Sequence, residues 1–204
     1  MENLRFIGIT GGVGVGKSEI LKYIRKHYRC RIYLADEVAG KVQQSGTEGF
    51  AQLVDLLGES VIGPDGELDR GRMAELIFAD DALRRQVNDL IHPQVRIYLM
   101  ERLEEAKKDD TVELFFVEAA LLIETGYGTL VDEMWYIYAD RDTRIKRLME
   151  NRGYSEERIA GIMDAQLSED EFRKACDFVI DNSGRLEDSY RQIDEKLEAF
   201  TWQN

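Results

Sequence analysis

One eight-residue run constrains this chain more than anything else in it: Gly11-Gly12-Val13-Gly14-Val15-Gly16-Lys17-Ser18. The stretch before it, Leu4 to Thr10 (LRFIGIT), is short, apolar and β-type. The stretch after it, Ser18 to Tyr28, puts Ile20, Leu21, Ile24 and Tyr28 on one helical face. Strand, glycine-rich turn and helix thus follow one another within the first thirty residues. The run matches G-x-x-x-x-G-K-[ST] in full, and in this context it predicts a P-loop. Its glycines let successive N–H groups point into one concavity around phosphate oxygens, and the helix start adds a partial positive charge. Gly12, Val13, Gly14, Val15 and Gly16 are the candidate ATP cradle, with Lys17, Ser18 and Glu19 opening the helix. Lys17 can reach the β- and γ-phosphates, and the Ser18 hydroxyl can ligate Mg²⁺. A glycine-rich turn without chemistry would leave the Lys-Ser pair and its context unexplained.

The remaining pattern alternates. A second short strand, Arg31 to Leu34, leads to Asp36. Residues from about 37 to 108 read as almost entirely helical, interrupted by the turn Gly63-Pro64-Asp65-Gly66. Asp69 is the expected N-cap of a helix through Phe78, and Pro93 the expected first turn of a helix from Gln94 to Lys108. So many helical residues between two strands exceed one crossover, so they predict an inserted subdomain. Three further apolar runs, Val112 to Val117, Met134 to Ala139 and Phe178 to Ile180, suit central parallel strands covered on both faces. A charged helical hairpin is expected at about 141 to 175 and a final helix from Leu186 to Phe200. The predicted fold is α/β: a parallel sheet flanked by helices, with an inserted helical domain.

Of the 204 residues, 40 are acidic and 27 basic, a formal charge of −13. That balance argues against a partner such as polymeric nucleic acid, which needs a broad basic face. Cys30 and Cys176 stand alone, and His27 and His92 lie far apart, so neither a structural zinc site nor a disulfide framework is expected. No apolar run approaches the ~20 residues of a membrane span. The opening MENLRFIGIT lacks the features of a signal peptide. A cytoplasmic protein is expected.

Several side chains could complete a phosphate site. Glu118 ends the run Leu114-Phe115-Phe116-Val117, where a P-loop needs an acid to hold the metal or its water; otherwise it is a solvent-exposed carboxylate. Asp36 directly follows the second strand, at the sheet edge where α/β ligands bind. It either accepts the proton of an attacking hydroxyl or only caps the helix beginning at Glu37. From Arg141 to Arg158 six basic residues (Arg141, Arg144, Lys146, Arg147, Arg152, Arg158) face four acidic ones. A basic hairpin closing over polyphosphate accounts for that excess; a solvated helix of paired charges is the alternative for any one of them. His92-Pro93 looks like a helix start with a partly buried histidine.

Taken in order, these residues resemble the dephospho-CoA kinase family. The stretch GITGGVGVGKS resembles the family's opening, and Leu34-Ala35-Asp36 its D-A-D element with Leu in place of the first Asp. Gly66-Glu67-Leu68-Asp69-Arg70, Ile77-Phe78 and Ile91-His92-Pro93 are similar to its helical-domain signature. Glu118 to Glu124 is similar to its D-x-P-L-L-F-E segment, and Arg147, Gln166 and Asp177 to Asn182 complete the set. Asn151 stands where the family usually has Arg.

The resemblance implies a P-loop kinase that transfers the ATP γ-phosphoryl group to the ribose 3′-hydroxyl of dephospho-CoA with Mg²⁺. It implies a nucleotide-binding core (1–36, 109–140 and 167–204), a helical CoA-binding domain (37–108) and a lid (141–166). It implies Asp36, Lys17 and Arg147 as catalytic, with Arg147 and Asn182 at ATP. It further implies Asp36, His92 and Leu121 at the acceptor and Ser18 and Glu118 at the metal. A monomer is expected. The rival readings are a kinase of another small molecule, such as a nucleoside monophosphate, and a non-catalytic nucleotide-binding regulator.

Overall fold

The computed structural model describes residues 4–201. Contacts divide the chain into two compact units. One runs to Ile32 and resumes at Asp109; the other is Tyr33–Lys108.

The first unit opens with β1 (Arg5–Thr10), the P-loop, α1 (Lys17–His27) and β2 (Cys30–Leu34), whose last two residues already belong to the second unit. As the periodicity predicts, α1 buries Ile20, Leu21 and Ile24.

The second unit is helical: α2 (Ala35–Val42), α3 (Glu48–Leu57), α4 (Arg70–Ala79) and α5 (Asp81–Ala106). The expected turn between α3 and α4 is present, closed by Gly66 N–H donating to the Gly63 carbonyl at 3.0 Å. Asp69 caps α4 as expected, accepting from the N–H groups of Gly71 and Arg72. The expectation for Pro93 fails. It does not open a helix but lies inside α5, which begins twelve residues earlier. The start signal is Asp80, whose carboxylate accepts from Ala82 and Leu83 N–H. An interior proline costs a helix about 3 kcal/mol. The buried stripe Val87, Ile91, Val95, Leu99 and Leu103, spaced every four residues, runs straight through it. At roughly 1.5–3 kcal/mol per buried aliphatic side chain, that stripe outweighs the lost hydrogen bond.

The chain then returns to the first unit with β3 (Leu114–Glu118) and β4 (Glu133–Tyr138). The expected hairpin at 141–175 is instead three helices: α6 (Arg141–Arg152), α7 (Glu156–Asp164) and α8 (Glu169–Ala175). Gly153 ends α6 in the left-handed region, and Ser155 and Ser168 cap the next two. β5 (Phe178–Asp181) and α9 (Leu186–Thr201) complete the unit.

The sheet order is β2-β3-β1-β4-β5, and the β1–β3, β1–β4 and β4–β5 pairings are parallel. The predicted α/β sheet flanked by helices is therefore present. Phe115, Phe116, Val117, Trp135 and Ile137 are fully buried, which explains why these strands carry apolar residues on both faces. Register sets the site. Ile9 pairs with Glu118 on one side and Trp135 on the other, so the P-loop leaves β1 beside the carboxyl ends of β3 and β4. Ligands of open α/β sheets bind at such an edge.

Candidate active site

The P-loop is held from three directions, all within the first unit. Lys17 Nζ donates to the Gly11 carbonyl at 2.7 Å and lies 3.6 Å from Glu118 Oε1. Glu118 is therefore not a solvated strand end: its side chain is only 16% exposed and faces the P-loop lysine. Ser18, one residue further on, is exposed, and its hydroxyl has no hydrogen-bond partner among the described residues.

Asn182, just after β5, holds the loop from behind. It is 1% exposed, and its Nδ2 donates to the Val15 carbonyl at 2.7 Å. The buried Ser189 hydroxyl donates to Asn182 Oδ1 at 2.9 Å, and the Asn182 N–H donates to Tyr138. Gly16 has φ +91°, and a β-carbon there would collide with Asn182 Nδ2, so only glycine fits this approach. Arg147 joins the same knot: Nη1 donates to Val15 O at 3.3 Å and Nη2 to Asn182 O at 2.9 Å.

The third hold comes from α6 and the turn after α7. Arg144 Nε donates to the Val13 carbonyl at 2.8 Å and its Nη2 to Gln166 Oε1 at 2.7 Å. The same Gln166 oxygen accepts the Val13 N–H at 3.1 Å. Val13 itself packs on a small core of Leu148, Ile159 and Met163. Burial lowers the Arg144 guanidinium from its ordinary value, although arginine stays charged at physiological pH. Nearby, Tyr136 stacks on Phe172, and burial pushes its phenol up to about 12. Among the described residues neither Arg144 nor Arg147 has a carboxylate partner; both donate to neutral oxygens.

Of the predicted residues, Gly12 to Ser18, Glu118, Arg147 and Asn182 thus come together, and Glu19 follows on α1. Asp36 lies in the second unit, exposed, in the first turn of α2. Its capping role is contradicted: the N-cap is Leu34, and no side chain caps that helix. Among the described residues the Asp36 carboxylate has no hydrogen-bond or ion-pair partner. His92 is exposed on α5, not partly buried, because the buried stripe lies on its neighbours. Leu121 is 54% exposed in the turn after β3. The second unit also holds a cleft of about 460 Å³ lined by Lys41, Gln44, Thr47, Glu48, Gln94 and Tyr98, among others.

Sequence reasoning passed over Ser189 altogether and named Arg144 only within a cluster. No local signal marks either contact, because each bridges more than five residues of chain to a backbone or amide oxygen.

A family model for dephospho-CoA kinase matches residues 5–188. The chain belongs to the dephospho-CoA kinase family. A dephospho-CoA kinase of Listeria monocytogenes is 34% identical over 194 residues, covering 95% of this chain and 96% of its own. A crystallised protein from Thermus thermophilus is 31% identical with a TM-score of 0.79, over 97% of this chain and 98% of its own. The dephospho-CoA kinase of Campylobacter jejuni, at 21% identity and a TM-score of 0.72 over 96% of both chains, shares the fold. As a member of the dephospho-CoA kinase family, the chain is an ATP-dependent kinase of the last step of CoA biosynthesis. No helix among the described residues is long and apolar enough to cross a membrane.

Proposed function

We propose that the chain transfers the γ-phosphoryl group of ATP to the ribose 3′-hydroxyl of dephospho-CoA, with donor chemistry on the P-loop and acceptor chemistry at Asp36. The observation that carries the donor half is the convergence of Lys17, Arg144 and Arg147 on one loop, with Glu118 as a carboxylate counterweight beside Lys17. Three cations on a cradle of backbone N–H groups match a polyphosphate, whose charge spreads over its outer oxygens during transfer.

The acceptor half rests on Asp36, an exposed carboxylate without a partner among the described residues. It would take or orient the proton of the 3′-hydroxyl as that oxygen attacks phosphorus. Residues 37–108 would bind the CoA portion, and His92 and Leu121 would be among the acceptor contacts. Residues 1–36, 109–140 and 167–204 would form the nucleotide core, and 141–166 a lid that excludes water.

Among the described residues no group of three or more His, Cys, Asp or Glu could cage a metal by itself. Mg²⁺ does not need one, since it keeps waters and binds through one or two protein oxygens plus phosphates. The Ser18 hydroxyl and the Glu118 carboxylate fit that demand, and Mg²⁺ held there would neutralise charge on the phosphates. We further infer a cytoplasmic monomer with no nucleic-acid partner, in keeping with the acidic composition and unpaired cysteines.

An acceptor panel tests the reading. Comparing kcat/KM for dephospho-CoA with values for nucleoside monophosphates should favour dephospho-CoA by orders of magnitude. A nucleoside monophosphate as the best acceptor would move the chain to the rival kinase reading.

A further inference from the structure

Gln166 and Arg144 make a contact on the P-loop that the transfer reaction does not by itself require. Both neighbours of the Gln166 side-chain oxygen are donors, Val13 N–H at 3.1 Å and Arg144 Nη2 at 2.7 Å, so its orientation is fixed by chemistry. The amide oxygen thus sits on a P-loop N–H, the place a phosphate oxygen takes in such a loop, with a guanidinium alongside. The approach is tight: a β-carbon on Gly12 would lie 2.5 Å from Arg144 Nη2 and 2.7 Å from Gln166 Oε1. Val13, packed on the core between α6 and α7, couples the loop to the helices that carry both residues.

We propose that Gln166 and Arg144 form a latch released by the terminal phosphate of the nucleotide. Resting on the donor-site reading above, the latch adds Gln166 to it and assigns Arg144 to the terminal phosphate. The N–H groups at the helix end, from Gly16 onward, hold the inner phosphates. The Val13 N–H, three residues upstream, is left for the outermost one. A phosphate oxygen accepts a charge-assisted hydrogen bond roughly twice as strong as the neutral amide can offer, so it displaces Gln166 Oε1 from Val13 N–H. Arg144 then exchanges the same amide for the phosphate and gains an anionic partner where it had only neutral ones. A diphosphate, lacking the outer group, leaves the latch closed. The pair therefore discriminates ATP from ADP.

The test measures binding of ADP and of a non-hydrolysable ATP analogue to the wild-type chain, Arg144→Gln, Gln166→Glu and Gln166→Leu, each checked for folding by thermal melting. Arg144→Gln should weaken the ATP analogue about tenfold to a hundredfold, the worth of a hydrogen bond to a charged group, and change ADP less than about threefold. Gln166→Glu sets a permanent carboxylate against Arg144 and should weaken the analogue at least about tenfold, again with little effect on ADP. Gln166→Leu removes the competitor and should tighten the analogue about threefold or more. Opposite signs for the two Gln166 variants are the signature of competition. Equal shifts for ADP and the ATP analogue across the folded variants would overturn the latch while leaving the donor site intact. A wild-type chain that binds neither nucleotide would overturn the donor site and the latch with it.

Discussion

The P-loop and the helical unit are built on opposite plans. Around the P-loop every loop carbonyl named above is held by a side chain from another element: Gly11 by Lys17, Val13 by Arg144, Val15 by Asn182 and Arg147. In the helical unit the fully buried residues are apolar, and the polar residues of interest, Asp36 and His92, stand exposed. A donor polyphosphate is the same in every turnover, so rigid preorganisation lowers the cost of binding it. On the proposed reading, the acceptor side at Asp36 has the opposite need. A carboxylate that must take a proton keeps its oxygens unoccupied.

That contrast predicts how the two regions fail. The largest effect belongs to the exposed acid. Asp36→Asn should lower kcat by roughly 10²- to 10⁴-fold while ATP affinity stays near wild type. Because Leu34 and not Asp36 is the N-cap of α2, melting should move little. Steady-state kinetics with dephospho-CoA, beside a melt, would show otherwise if turnover survived.

Lys17→Ala comes next, with an expected loss in kcat of roughly 10²- to 10³-fold, the scale of one preorganised charge-stabilising donor. Here ATP affinity should fall too, which separates it from Asp36→Asn. Calorimetric titration with the ATP analogue reads the difference, and unchanged binding would take Lys17 off the phosphates.

Asn182→Ala should cost stability and donor affinity together. It strips the Val15 carbonyl and the buried Ser189 hydroxyl of a partner, about 1–3 kcal/mol, and should raise the KM for ATP about tenfold. Ser189→Ala, one bond further back, should show the same pattern more weakly. A change in kcat alone, with KM and melting unmoved, would contradict a positioning role.

The smallest effect is expected at Asp80, which caps α5 within the second unit. Asp80→Ala should cost roughly 1 kcal/mol of stability and leave ATP binding alone. A loss of nucleotide affinity there would break the separation of the two regions.

The donor side was far more legible in the sequence than its supports. Gly11 to Ser18 is a local motif whose function follows from consecutive residues, so it reads without tertiary information. The β3 and β4 runs declared themselves as central strands because they are apolar on both faces. The end of α6 and the starts of α7 and α8 were also written locally, in Gly153, Ser155 and Ser168, although the charged stretch reads as one helical hairpin. Pro93 misled because a local breaker competes with a stripe of buried residues that only tertiary packing makes worth more. The grips of Asn182, Ser189 and Gln166 could not be read. Asn182 and Gln166 meet the loop across more than 150 residues, and an amide oxygen has no periodicity.

The central claim is that a P-loop donor site serves a 3′-hydroxyl acceptor, and the position of the transferred phosphate tests it most directly. Incubating the wild-type chain with ATP, Mg²⁺ and dephospho-CoA, then reading the product by phosphorus NMR coupled to the ribose protons, locates the new phosphate. The account predicts a single new phosphomonoester on the ribose 3′-oxygen, formed together with ADP. ATP consumed without that product, or phosphate on any other hydroxyl, would contradict it.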